Sequence, residues 1–184
     1  MLGYTGLGTS DEARYGDFKA YSGNEILGRH ETVDFFVDLW TTLDHPRRRD
    51  IQPTKLKAHL DRLVIMDVLK KDGELALHVR LIGTFVASYY GEISDKDVNE
   101  MNNEPAAQRI YEASRLLLER KQPILTVTPA LSKEKHHLEA IAFYMPLYDE
   151  DKNIVKILVY VDVVTLKDQL HNKGLGIPFK WRIF

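Results

Sequence analysis

Two apolar runs that meet at an Asp-Gly pair form the clearest structural pattern in this chain. Asp-Gly between alternating strands is typical of a two-residue hairpin turn, because glycine accepts positive φ at the second turn position. Such a turn places Lys71 opposite Glu74 and sets the register of both strands. The register predicts these cross-strand pairs: Val68 with Leu77, Met66 with Val79 and Val64 with Leu81 on an apolar face, and Leu69 with Ala76, Asp67 with His78 and Ile65 with Arg80 on a mixed face. Both faces of the hairpin are therefore predicted to be partly covered.

An amphipathic helix is predicted over residues 31–43. Apolar side chains recur there at helical spacing, and Glu31 and Asp34 supply negative charge to the first turn, where the helix dipole favours it. Phe35 and Leu39 widen the apolar stripe beyond what one packing partner requires. The wide stripe fits either a helix that contacts both its own sheet and a second subunit, or a broad core face in a monomer.

The remaining elements follow from apolar periodicity and from breaker residues. A polar loop and a short helix precede the hairpin, and helical turns are predicted at 85–90 and 97–101. A longer helix with Asn103 as its N-cap ends before Pro123, and three strands follow, at residues 124–131, 138–147 and 154–164.

The first 28 residues are predicted to form an irregular arm, because they hold more than half of the eleven glycines and few branched aliphatic residues. Gly3, Gly6 and Gly8 do not form a phosphate-binding loop, which requires a preceding strand.

The predicted elements carry residues that together resemble a known family. In chain order these residues are Pro46, Arg48, Asp50, Ile51, Pro53, Leu56, Leu60, Asp67, Val68 and the run Val79–Thr84, continued by Tyr90-Gly91, Ile93, Gln122-Pro123 and Met145–Leu147. They resemble the signature of a bacterial, alphaproteobacterial-type family of PAS domains, often made of one PAS domain on its own, over residues 31–166. Three positions depart from the family pattern: Gln52 stands in place of a second Asp, Ser94-Asp95 in place of Thr-Gly, and the acidic turn at 149–153 lacks a glycine.

The resemblance implies an α+β fold, with a PAS-like five-stranded antiparallel sheet, short crossing helices and an N-terminal amphipathic helix. It divides the chain into an arm at 1–28, a single PAS-like domain at 29–170 and a tail at 171–184. Arg48 and Asp50, which match the signature, are expected to tie the first helix to the hairpin by charge-assisted hydrogen bonds.

Composition narrows the functional classes. A chain of 184 residues has the size of one domain, and the absence of cysteine removes thiol nucleophiles, disulfides and the cysteine-dependent flavin photochemistry of light-sensing PAS domains. With 25 basic and 27 acidic residues the net charge is -2, which favours neither nucleic acid nor an anionic membrane as a partner. The longest apolar run, 157–161, is too short to span a bilayer, and the N-terminus lacks signal-peptide features, so a cytoplasmic location is expected.

No catalytic constellation stands out, and the protein is predicted not to be an enzyme. His136 and His137 would point to opposite faces of a strand, so a solvated turn is favoured over a metal site. For His78, a structural cross-strand hydrogen bond to Asp67 is favoured over a sensor or haem-ligand role. The basic run at 47–49 lies between acidic residues without interleaved aromatics, which disfavours nucleic-acid binding.

The leading functional candidate is a cavity between the curved sheet and the crossing helices. Only one of Phe143 and Tyr144 can point into it, because they are neighbours on one strand. Small or polar inward residues such as Ala140 and Ala142 permit an open cavity but do not require one. The candidate ligand-binding residues, each of which could equally be ordinary core, are Phe85, Tyr89, Tyr111, Ser114, Thr126, Thr128 and Tyr144.

These features predict a PAS-type sensory or regulatory module that binds a small ligand, a protein partner or both. Since few residues follow Leu170, any output is expected to act in trans on a signalling protein. The alternative is a ligand-free interaction module, and an enzyme is the third possibility. A homodimer is predicted, with interface candidates Phe35, Leu39, Ile65 and Leu69. The sequence does not identify a cofactor, and haem is not favoured.

Overall fold

The computed structural model describes residues 18–128 and 138–165, which form six strands and three α-helices. In chain order these elements are β1 (Lys19–Ser22), α1 (Glu31–Leu43), β2 (Leu63–Lys71), β3 (Glu74–Ile82), α2 (Thr84–Tyr90), α3 (Glu104–Arg120), β4 (Ile124–Thr128), β5 (Leu138–Tyr148) and β6 (Ile154–Thr165). Short 3₁₀ segments lie at Gly23–Glu25, Arg48–Asp50, Pro53–Arg62 and Val98–Glu100. None of the described helices is long and apolar enough to cross a membrane.

The strands form one antiparallel sheet in the order β1-β4-β5-β6-β2-β3. The predicted α+β class is confirmed, but the sheet has six strands where the sequence predicts five. The additional strand, β1, lies within the predicted irregular arm, so that prediction is wrong for Lys19–Ser22. Four residues are too few to show a period, and β1 is stabilised by its pairing with β4 and by the burial of Ala20. Residues 1–17 lie outside the described part of the chain, as does the predicted tail at 171–184.

The hairpin has the predicted turn, with φ of 52° at Asp72 and 85° at Gly73. Its register is as predicted from Lys71 and Glu74 outward to Met66 and Val79. Beyond that point a β-bulge shifts the pairing, so that Ile65 lies opposite Leu81 and Val64 opposite Ile82. The predicted pairs Val64 with Leu81 and Ile65 with Arg80 are therefore wrong. Because Arg80 is the extra residue of the bulge, Leu81 turns to solvent, 42% exposed, and Ile82 is buried.

The two faces of the sheet support two separate cores, since side chains alternate along each strand. On β5, Phe143 faces one core and Tyr144 the other, as their adjacency requires. The first core lies between the sheet and the helices α2 and α3. The second lies under α1 and the 3₁₀ segment Pro53–Arg62, and it contains Val33, Phe36, Ile51, Leu56, Leu63, Ile65, Leu125, Ile141, Phe143, Met145, Leu147, Leu158 and Tyr160 among its buried residues.

Helix α1 has the predicted bounds. Phe35 and Leu39, the two residues that widen its apolar stripe, differ in solvent exposure. Phe35 is 42% exposed, whereas Leu39 is half-buried against the second core. Of the two hairpin residues proposed for the same interface, Ile65 is only 7% exposed and Leu69 is 38% exposed. Phe35 and Leu69 therefore remain accessible, while α1 and its neighbours cover Ile65.

Candidate functional site

An internal cavity of about 60 Å³ lies in the first core, between the concave face of the sheet and the helices α2 and α3. Its walls are mostly aliphatic, and a few polar side chains project into it. The lining residues are Val64, Met66, Val79, Ile82, Val86, Tyr90, Ile93, Val98, Met101, Ala106, Arg109, Ile110, Thr126, Thr128, Ala140, Ala142, Tyr144, Val159 and Val161. An apolar pocket with a few convergent polar groups is the usual form of a small-molecule site.

Small side chains leave this space open. Ala140 and Ala142 lie on β5 opposite Thr128 and Thr126 on β4, so each pair presents one methyl group and one hydroxyl-bearing side chain to the cavity. Ala106 approaches from the first turn of α3. The Thr126 hydroxyl donates to the carbonyl oxygen of Ala142 at 3.3 Å, which satisfies part of its hydrogen-bonding capacity within the sheet.

Among the described residues that line the cavity, the one basic residue is Arg109, which is 7% exposed. Its guanidinium donates a hydrogen bond to the Tyr90 hydroxyl. Burial raises the pKa of Tyr90, and the charge of Arg109 only partly opposes this effect. Burial likewise raises the pKa of Tyr144 far above its usual range, with the nearby Tyr90 hydroxyl adding to the shift. Both phenols are therefore neutral at physiological pH and can donate hydrogen bonds.

The structure brings only some of the predicted ligand-binding residues to the cavity. Thr126, Thr128 and Tyr144 line it. The residues that do not line it are Phe85, Tyr89, Tyr111 and Ser114. For Tyr111 and Ser114 the reason is the orientation of α3, which turns Ala106, Arg109 and Ile110 toward the cavity at spacings of three and four residues. Phe85 and Tyr89 lie on α2, which lines the cavity with Val86 and Tyr90 instead.

Each of the four displaced candidates has another environment. The Phe85 ring stacks under the Arg62 guanidinium at 3.8 Å and contacts the Tyr89 ring at 5.2 Å. The Tyr111 hydroxyl accepts from the backbone N–H of Leu77 at 3.5 Å. Ser114 is fully buried, and its Oγ has no hydrogen-bond partner among the described residues. Tyr111 and Ser114 therefore belong to the packing of α3 rather than to the cavity wall.

Sequence reasoning missed Arg109 because a charged residue on a helix is normally assigned to the solvated face. The available signal was its spacing, three residues after Ala106 and four before Ala113, both of which are buried. Apolar spacing along this helix predicts an inward stripe of Ala107, Ile110, Tyr111, Ser114, Leu117 and Leu118. Of these residues only Ile110 lines the cavity.

A second polar cluster joins three strands at Asp67, which lies outside the cavity. The Asp67 carboxylate accepts from Nε of Arg80 at 2.5 Å and from Nζ of Lys156. Burial alone would raise the pKa of Asp67, but the hydrogen bonds and charges of Lys156 and Arg80 outweigh it and hold this pKa below the ordinary value. The predicted contact of Asp67 with His78 is replaced, because Nδ1 of His78 contacts the Asp97 carboxylate at 2.9 Å.

A third cluster connects the last strand to α1. Asp162 accepts from Nη1 of Arg62 and contacts Nε2 of His30, the N-cap residue of α1, at 3.1 Å. Burial acts to raise the pKa of Asp162, but the hydrogen bond from His30 and the charge of Arg62 lower it below the ordinary value. This cluster serves the attachment of α1 to the sheet.

The basic run of the entry loop makes local contacts. Nη1 of Arg48 donates to the carbonyl oxygen of Ile51 at 3.2 Å, and the Asp50 carboxylate accepts from the backbone N–H of Arg47 at 2.8 Å. These contacts close the 3₁₀ turn, so the expected tie from the helix to the hairpin through Arg48 and Asp50 is wrong. Arg47 and Arg49 instead reach Glu150 in the β5–β6 turn.

No group of three potential metal ligands occurs among the described residues. The His136 and His137 pair considered from the sequence lies outside them.

The family model described as PAS domain, PAS_5, matches residues 29–161. The chain belongs to this PAS-domain family. The match spans the elements from α1 to β6, so the cavity of this PAS domain and the polar side chains that line it lie within the matched segment. No curated protein gives a significant match to the chain.

Several solved structures resemble this PAS domain at low identity. A light-oxygen-voltage domain studied with a flavin analogue is 18% identical, with a TM-score of 0.43 over 66% of this chain and 92% of that chain. An RNA-binding light-oxygen-voltage receptor is 14% identical, with a TM-score of 0.45 over 71% of this chain and 41% of the receptor. A sensory box sensor histidine kinase from Vibrio cholerae is 13% identical, with a TM-score of 0.44 over 61% of this chain and 91% of that chain. These similarities concern the fold alone.

Proposed function

We propose that this PAS domain is a non-enzymatic sensory module that binds a small molecule in its internal cavity and signals to a partner protein in trans. The observation that carries the proposal is the convergence of Tyr90, Arg109, Thr126, Thr128 and Tyr144 on one mostly aliphatic cavity. The Tyr90 hydroxyl accepts from Arg109 and the Thr126 hydroxyl donates to Ala142, so polar groups are held in place around open space. An apolar pocket with a few such polar groups is the usual form of a small-molecule site, and this form supports the proposal.

A dimerisation role is the second candidate, and one observation favours it. Phe35 is 42% exposed on α1, and Leu60 on the adjacent 3₁₀ segment is 41% exposed. The Phe35 ring contacts His59 of that segment at 5.9 Å, so the two exposed apolar side chains lie in one region of the surface. We propose that the homodimer interface lies in this region. We also propose a cytoplasmic location for the protein.

Native mass spectrometry of the purified protein tests the ligand proposal. The wild-type chain should carry a small compound that denaturation releases. Ala142→Leu adds a bulky side chain inside the cavity and should displace that compound while a cooperative melting transition remains. Ala58→Leu is the matched control, because Ala58 is exposed.

Retention of the compound by the Ala58→Leu protein and its loss from the Ala142→Leu protein would support a sensor. If neither a bound compound nor a ligand-induced shift of the melting temperature is found across a library of small metabolites, the cavity is ordinary core. The ligand-free interaction module would then be the correct function.

A further inference from the structure

One wall of the cavity is neither a strand nor an α-helix. The segment at 92–102, here called the gate segment, connects α2 to α3, and its three buried residues, Ile93, Val98 and Met101, all line the cavity. We infer that a ligand enters the cavity through an opening of the gate segment and that Asp97 holds this segment closed. The inference rests on the proposed ligand-binding function and adds the route of entry.

The gate segment is held to the sheet by few backbone contacts. Among the described residues, its backbone hydrogen bonds to the sheet are two, and both involve Val79 on β3. The N–H of Val79 donates to the carbonyl oxygen of Lys96 at 2.9 Å, and the N–H of Asp95 donates to the carbonyl oxygen of Val79 at 2.9 Å. Each strand of the sheet, by contrast, is paired along its length. Segments with few protected hydrogen bonds open at a lower free energy than the core does.

The side chain of Asp97 supplies the remaining polar attachment that we assign to closure. Its carboxylate accepts from Nζ of Lys71 on β2 and contacts Nδ1 of His78 on β3 at 2.9 Å, so it joins the gate segment to both strands of the hairpin. The hydrogen bonds from Lys71 and His78 hold the pKa of Asp97 below its ordinary value. Asp97 directly precedes Val98, which is fully buried, so release of this carboxylate frees a residue of the cavity wall.

The position of the gate segment makes it a short path to solvent. It pairs with β3, which is an edge strand of the sheet, at Val79, and Val79 itself lines the cavity. Most residues of the segment other than its three buried ones are exposed. Outward movement of the segment therefore opens the cavity while the strands and α-helices around it keep their own hydrogen bonds. Loops that close over a site in this way typically move within microseconds to milliseconds.

The absence of cysteine from the chain allows this opening to be measured directly. Ala142→Cys places one thiol in the cavity wall, whereas Ile141→Cys places one on the opposite face of the same strand, in the second core. The full-length proteins are treated with methyl methanethiosulfonate, and mass spectrometry of the intact chain gives the rate of modification. Ala140→Cys lines the same cavity and replaces Ala142→Cys if that protein does not melt cooperatively.

Asp97→Asn should accelerate modification of the Ala142→Cys protein by about threefold to tenfold, because it removes the charge on which both hairpin contacts depend, at a site that is partly exposed. The same substitution should change the modification rate of the Ile141→Cys protein by less than about twofold. The reason is that opening of the gate segment leaves the second core closed.

Asp95→Asn is the matched control, because it makes the same chemical change within the same segment. The Asp95 side chain is 80% exposed, and its carboxylate lies 3.9 Å from Nη1 of Arg80. An exposed ion pair of this kind contributes little, so Asp95→Asn should change the modification rate of the Ala142→Cys protein by less than about twofold.

Three results would each overturn the inference: an unchanged rate in the Asp97→Asn protein, an equal acceleration by Asp95→Asn, or an equal acceleration at Ile141→Cys, which would indicate general loosening of the fold. A cavity thiol that never reacts in the folded protein would overturn it as well. The proposed function fails separately. If native mass spectrometry finds no ligand while Asp97→Asn accelerates modification in the cavity alone, the gate is present and the sensor function is wrong. A bound compound with no effect of Asp97→Asn would keep the sensor function and exclude the gate.

Discussion

Gly83 shows how one residue sets the contact between two elements. It ends the bulged strand β3 and begins α2 with an extended backbone, φ −69° and ψ 150°, so any residue could adopt its conformation. Glycine is required at this position because no side chain fits there. A Cβ atom added at Gly83 would lie 2.2 Å from the backbone carbonyl oxygen of Asp61 in the 3₁₀ segment before β2. The backbone N–H of Gly83 also donates to the carbonyl oxygen of Leu63 at 2.7 Å. Glycine therefore permits two backbones to meet here.

We expect Gly83→Ala to destabilise the protein by about 1–3 kcal/mol, because the new methyl group meets backbone that cannot rotate away. Urea denaturation followed by circular dichroism measures the change. Ser88→Ala, an exposed substitution on α2, is the control and should change stability by less than about 0.5 kcal/mol. If the two variants are equally stable, the backbone at Gly83 and the 3₁₀ segment that contains Asp61 can move apart without loss of folding free energy.

At the scale of elements, the ion pairs around Asp67 hold β2 between its two neighbours. Arg80 comes from the bulge on β3 and Lys156 from β6, so one buried carboxylate binds cations from both adjacent strands. The bulge matters for this arrangement, because Arg80 is the extra residue that it introduces.

The Asp67 cluster predicts a stability that depends on pH. Because the folded-state pKa of Asp67 lies below its ordinary value of 3.8, the cluster contributes fully above that value and loses its contribution as the pH falls below it. At pH 7 we expect Asp67→Asn to be less stable than wild type by about 1–3 kcal/mol, and at pH 3 the difference should narrow. Urea denaturation at both pH values measures it.

Asp38→Asn is the control for this experiment, since Asp38 is an exposed carboxylate on α1. The Asp38→Asn protein should have the same free energy of unfolding as the wild type at pH 7 and at pH 3. If the Asp67→Asn difference is the same at pH 7 and pH 3, the carboxylate contributes by packing and not by its charge.

At the scale of the whole molecule, the sheet separates two cores with different properties. The core under α1 contains the large aromatic residues Phe36, Phe143 and Tyr160, with Phe36 in ring contact with both others. The core under α2 and α3 contains alanines and valines around the cavity. Large aromatic rings thus pack against one face of the sheet, and small side chains surround open space on the other. We therefore expect substitutions that fill the cavity to leave the core on the opposite face unchanged.

The assembly prediction also belongs to this scale. We expect Phe35→Glu to convert a dimer into a folded monomer, because Phe35 is 42% exposed and its replacement leaves both cores intact. Trp40→Glu, on the same helix, should instead destabilise the fold, since Trp40 is half-buried against the second core. Multi-angle light scattering and thermal melting measure the two effects. A wild-type chain that is monomeric at tens of micromolar would exclude the dimer.

Several features of this PAS domain follow from the sequence alone, because their physical causes are local. The bounds of α1 follow from apolar spacing, the Asp72-Gly73 turn from the positive φ that glycine tolerates, and the start of α3 from Asn103, whose side chain accepts from the backbone N–H of Ala106. The alternation along β4 and β5 also placed Thr126 and Tyr144 on one face.

Other features were decided only by the tertiary structure, because they depend on residues far apart in the chain. The pairing of β1 with β4, the bulge at Arg80 and the rotation of α3 each result from packing between separate elements. The rotation of α3 directs Arg109 into the cavity and Tyr111 and Ser114 away from it. A rotation of one helical position leaves the amphipathic pattern of a helix nearly unchanged but replaces the side chains that meet the sheet, so only the assembled core determines which of them reach a ligand.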